Sequence, residues 1–90
     1  MIKVDCRDVE SLKYKMSIYV SDSVLAVPAL KSHEFLLSPI DDDKKIDNAD
    51  VIASIKEFLY AMGEAKNFDV TEHENVILIK SIQRKSRDSN

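Results

Sequence analysis

Asp41-Asp42-Asp43, with Asp47 and Asp50 close behind, is the densest carboxylate group in this 90-residue chain. Clustered carboxylates are what hard divalent cations take as ligands. A calcium loop of the EF-hand kind also needs oxygen ligands at alternate positions, a glycine at the sixth and a glutamate at the twelfth. Counted from Asp41, the fifth position is Lys45, the sixth Ile46 and the twelfth Ile52, so the spacing fails at all three. The cluster reads instead as a solvated loop whose last aspartates lead into a helix, and no metal is expected.

His33 and His73 each precede a glutamate, but neither is followed by a second histidine four residues on, so the zinc-protease spacing is absent. Cys6 is the only cysteine. A nucleophilic pair with His33 or His73 needs closeness in space and not along the chain, which leaves that pairing open. However, Cys6 alternates with Ile2 and Val4 on an apolar strand face, where a buried thiol keeps a raised pKa and stays inert. The chain also holds one glycine, Gly63, and loops that cradle phosphate need several. No catalytic residue and no cofactor is expected, and the chain reads as a non-enzymatic protein.

Two sets of residues point to partners instead. Tyr60 projects away from the apolar stripe of its helix, beside Ala49 and Ala53 and next to Lys56. A tyrosine offers large contact area with few rotatable bonds and is enriched in interfaces. Ala49, Ala53, Lys56 and Tyr60 are therefore the expected protein interface, most simply with a second copy as a homodimer, otherwise with another protein. The second set is Lys13, Lys15 and Tyr19, which a strand would place on one sheet face, with Lys80, Arg84, Lys85 and Arg87 toward the C-terminus. Cations interleaved with an aromatic ring suit single-stranded nucleic acid. The formal charge weighs against it: the net −3 divides into +3 over residues 80–90 and −6 over residues 1–79. An acidic body repels phosphate backbones, so nucleic-acid binding is the alternative function.

These residues have to be positioned by a fold, and Val, Ile, Leu and Phe, at 27 of 90 residues, are enough to build a core. The firmest element is a helix over 48–62. Val51, Ile52, Ile55, Phe58, Leu59 and Met62 form one stripe at a 3.6-residue period. Asp47 is the expected N-cap, its carboxylate accepting from the Asp50 N–H, and Ile46 with Val51 has the spacing of a hydrophobic staple. Gly63 stands where a left-handed residue closes a helix.

Phe68–Glu72 and Val76–Ile79 read as a β-hairpin, with Asn75 expected to take the positive φ of its turn. The second of these strands is apolar on both faces and belongs inside the sheet. Val24–Leu30 and His33–Ile40 read as strands, and Pro28 puts the first at an edge, at a bulge or near its own end. Leu12, Tyr14, Met16, Ile18 and Val20 alternate strictly, which predicts a strand. The same stretch also fits a helix, and residues 9–20 helical would give a ferredoxin-like βαββαβ arrangement.

The expected fold is a single α+β domain over residues 1–82: a mostly antiparallel sheet of about five to six strands, with one main amphipathic helix packed on one face. Residues 83–90 read as a polar, basic, disordered tail. No apolar run is long enough to span a bilayer, so no membrane association is expected. With no export signal and no disulfide possible, the expected location is cytoplasmic.

Overall fold

The computed structural model describes residues 1–41 and 43–82. The elements run β1 (Ile2–Asp5), α1 (Lys13–Val24), β2 (Ala26–Leu30), β3 (Glu34–Pro39), α2 (Asn48–Ala61), β4 (Phe68–His73) and β5 (Val76–Ser81). A 3₁₀ segment, Arg7–Leu12, joins β1 to α1 and kinks at Val9. The five strands form one sheet in the order β2-β3-β1-β5-β4. Only β1 and β5 pair in parallel. The α+β class, the mostly antiparallel sheet and the C-terminal hairpin are as the sequence predicts.

The strand directions explain both helices. β1 and β2 run the same way on either side of β3, and two such strands need a crossover connection, which α1 supplies. β3 and β4 likewise share a direction and are joined through α2. Strand alternation turns Ile2, Val4, Phe35, Leu37, Ile77 and Ile79 to one face, where all are buried. Met16 and Val20 from α1, Val51, Ile55, Phe58 and Leu59 from α2, and Cys6, Val9 and Ala26 complete that core.

Residues 13–24 are the main correction. They form a helix and not the strand that strict alternation predicts. The buried positions are Met16, Ser17, Val20 and Ser21, with Leu12 and Val24 half-buried, a helical stripe in which two members are serine. Meanwhile Tyr14, Ile18 and Tyr19 are exposed. Polar residues inside and apolar residues outside produced a false period of two. The ferredoxin-like alternative has a helix here, over 9–20 against the observed Lys13–Val24, but ends on one strand after the second helix. Here that helix is followed by a hairpin, whose second strand lies parallel to β1.

Both ends of α2 have clear causes. Asp47 takes extended N-cap geometry, and its carbonyl accepts from the Asp50 and Val51 N–H groups at 3.1 Å each. Its carboxylate makes no cap hydrogen bond, contrary to the sequence expectation. At the other end the Glu64 N–H donates to the Leu59 carbonyl at 2.7 Å and the Gly63 N–H to the Tyr60 carbonyl at 3.0 Å. Those two bonds are the Schellman closure, and Gly63 supplies its left-handed residue at φ +75°.

The hairpin turn departs from expectation by one residue. Positive φ falls on Glu74 (+58°) and not on Asn75. Asn75 is held by its carbonyl, which accepts from the Lys3 N–H at 2.9 Å and extends the β1–β5 pairing. The left-handed residue is the first of the two turn residues and not the second.

Candidate functional site

The two edges of the sheet are built differently. In the β2–β3 hairpin the Lys31 N–H donates to the Glu34 carbonyl, and the register continues through Ala29↔Leu36 and Val27↔Ser38. Hydrogen-bonded pairs alternate with unbonded ones in an antiparallel ladder. Ala26, Pro28 and Leu30 therefore turn their backbone groups to the free edge of β2. Pro28 has no N–H, so this apolar edge, which carries no charged residue, lacks its central donor.

At the opposite edge, the His73↔Val76 pair closes a two-residue turn, and the Ile82 N–H donates to the Asn67 carbonyl at 2.9 Å in the same register. Asn67, Asp69, Thr71 and His73 accordingly bond inward to β5. Phe68, Val70 and Glu72 face outward, each with its N–H and C=O unpaired by the sheet. No proline interrupts them.

Beside this second edge runs an open groove of about 500 Å³ between α2 and β4, lined by Lys56, Leu59 and Tyr60 from the helix and by Phe68, Val70 and Ile82 from the sheet side. Tyr60 is 78% exposed, the most exposed large apolar side chain among the described residues. It also borders a second hollow with Gly63, Ala65 and Asn67. Ala49, Ala53 and Lys56 are exposed along the same side of α2. Ala53 borders a smaller hollow toward α1, with Val24, Ser54 and Glu57. The four residues expected as an interface thus share a ridge with open concavities on either flank. The free β4 edge beside the ridge was not legible, because strand order cannot be read from a single sequence.

The cationic set is not brought together on a sheet face. Lys13, Lys15 and Tyr19 all lie on α1. The Lys13 ammonium donates to the carbonyls of Lys31 and Ser32, clamping the β2–β3 turn. Lys15 borders an apolar hollow with Ile18, Tyr19, Phe58 and Met62. Tyr19 donates to Glu57 Oε1 at 2.9 Å and sets its ring 5.6 Å from that of Phe58. The hydrogen bond to the Glu57 carboxylate, with some desolvation, raises the Tyr19 pKa. Lys80 lies on β5 opposite Asp69, away from α1, and borders a hollow with Asp5, Arg7 and Asp8. Arg84, Lys85 and Arg87 lie outside the described residues.

The remaining chemical candidates stay apart. Cys6 is fully buried just beyond β1, its thiol directed at the Val4 carbonyl at 3.9 Å. Burial pushes that thiol up to about 12, with the Asp5 carboxylate adding to the effect. His33, in the β2–β3 turn, instead binds the carboxylate of Glu10 from the 3₁₀ segment, and His73 is exposed at the end of β4. Among the described residues, no three His, Cys, Asp or Glu side chains come together as a metal site would require. No helix among them is long and apolar enough to cross a membrane. The chain matches no protein-family model, no curated protein and no solved structure.

Proposed function

We propose that this chain is a non-enzymatic interaction module that works by self-association through the α2–β4 side of the domain. One observation carries the reading: an exposed tyrosine and an apolar groove stand beside a strand edge whose outward backbone groups have no partner in the sheet. Tyr60 supplies a rigid amphipathic surface, and the groove supplies apolar area that association removes from water at about 25 cal/mol per Å². A buried Cys6 as the only thiol is consistent with action in a reducing compartment.

Sedimentation velocity across the micromolar range tests this reading. A concentration-dependent dimer that weakens at least tenfold in Tyr60→Ala, with an unchanged circular dichroism spectrum, is the expected result. A wild-type monomer at 100 micromolar would overturn it.

A further inference from the structure

Beyond association as such, we infer that two copies join β4 to β4 in antiparallel pairing, with Thr71 on the two-fold axis, to make one continuous ten-stranded sheet. This inference rests on the self-association reading and specifies its geometry.

An antiparallel pairing of identical strands must be centred on one residue, and each centre brings different side chains face to face. Centring on Asp69 would put that carboxylate opposite its own copy, and centring on Glu72 would do the same for Glu72. Like charges directly opposite are destabilising. Of the two centres between them, Val70 sets Asp69 opposite Thr71. Thr71 instead sets Asp69 opposite His73 twice, once on each side of the axis, with Thr71 opposite Thr71. Asp69, Thr71 and His73 are all exposed, so each is available to a partner strand. The Thr71-centred register has complementary polar pairs and sets no like charges directly opposite one another.

The backbone fits the same register. Val70 and Glu72 turn their N–H and C=O groups outward, and centring on Thr71 pairs Val70 of each copy with Glu72 of the other. Lys56 and Val70 border the same groove. The partner's glutamate, brought opposite Val70, therefore arrives at the groove mouth beside the Lys56 ammonium. The β2 edge has no equivalent, because Pro28 removes its central donor.

The experiment uses the full chain. Thr71→Cys under mild oxidation should give a disulfide-linked dimer, since unbonded cross-strand pairs hold their Cβ atoms within bridging reach. The buried Cys6 stays out of the reaction. Asp69→Cys alone should not cross-link, because its opposite residue is His73. Val70→Pro, which removes an outward N–H and no bond to β5, should abolish the dimer. His73→Asp, a surface change that sets Asp opposite Asp69, should weaken it at least tenfold and serves as the readout if the proline variant does not fold. A wild-type dimer that persists in both variants, or that cross-links through position 69 and not 71, would overturn this register while leaving self-association standing. A wild-type monomer would overturn both.

Discussion

Asn48, the first residue of α2, donates its side-chain amide to the carbonyl of Glu74 in the hairpin turn at 2.6 Å. The bond ties the start of the second crossover helix to the one turn that joins β4 to β5. It also uses the carbonyl of a residue held at φ +58°, a conformation that costs an ordinary L-residue about 1–2 kcal/mol. The two effects have opposite signs and are separable. Asn48→Ala should lose about 1 kcal/mol, the contribution of one hydrogen bond. Glu74→Gly should gain roughly 0.5–1 kcal/mol by relieving the backbone. Urea unfolding of both variants checks the pair.

Ser54 sits inside α2 at 3% exposure, with no hydrogen-bond partner for its hydroxyl among the described residues. Ser17 and Ser21, buried on α1, avoid that cost by donating to the carbonyls of Tyr14 and Ile18 three residues back, at 2.7 and 3.1 Å. An unsatisfied buried hydroxyl costs about 1–3 kcal/mol, and alanine is the better helix former. Ser54→Ala should therefore raise stability by about 1 kcal/mol or more, whereas Ser21→Ala should change it little. Thermal melts of both variants decide it, and an unchanged midpoint for Ser54→Ala would show that the hydroxyl finds a partner in solution.

These serines also explain what the sequence could and could not convey. α2 was legible because Val51, Ile55, Phe58 and Leu59 are both apolar and inward, so hydropathy and burial share one period. α1 was not, because Ser17 and Ser21 are inward while Tyr14 and Ile18 are outward. Their burial is set by tertiary packing, which no local pattern announces. Pro28 limited its strand to an edge, a bulge or a strand end, and the edge is what the sheet order shows, since a missing N–H is a local property. The β4 edge carries no such mark, because being an edge depends on where the other strands pair. Tyr60 and its ridge were legible from the helix period alone, but the groove beside them needed β4 in place.

Leu25 and Gly63 both follow helices in left-handed conformations, at φ +57° and +75°. Only one of them is the residue type suited to it. A Cβ on Gly63 would meet nothing within 4 Å, so any cost of adding one is purely backbone. Gly63→Ala should cost about 1 kcal/mol. Leu25 is 65% exposed, so little burial is lost on removing its side chain. Leu25→Gly should then gain about 0.5–1 kcal/mol net of the extra unfolded-state entropy of glycine. Opposite shifts in the urea midpoint, at an unchanged slope, are the expected outcome. A loss in both variants would place the Leu25 side chain in a contact that matters.

The Cys6 thiol gives a pH dependence with a defined sign. Burial raises its folded pKa to about 12, while an unfolded cysteine titrates near 8.5. Below about pH 8.5 the thiol is protonated in both states, so its contribution is fully present. As pH rises above that point the unfolded chain releases the proton and the folded chain keeps it, so stability falls, by up to about 1.4 kcal/mol per pH unit until the folded value is reached. Cys6→Ala lacks this loss. The stability difference between wild type and Cys6→Ala should therefore be flat from pH 6 to 8 and move against the wild type from pH 9 to 10. The same burial predicts that a thiol reagent labels the native protein at pH 8 only as fast as it opens, and labels it at once in denaturant. Rapid native labelling would mean that the space around Cys6, between the end of β1 and the 3₁₀ segment, opens far more readily than the core it belongs to.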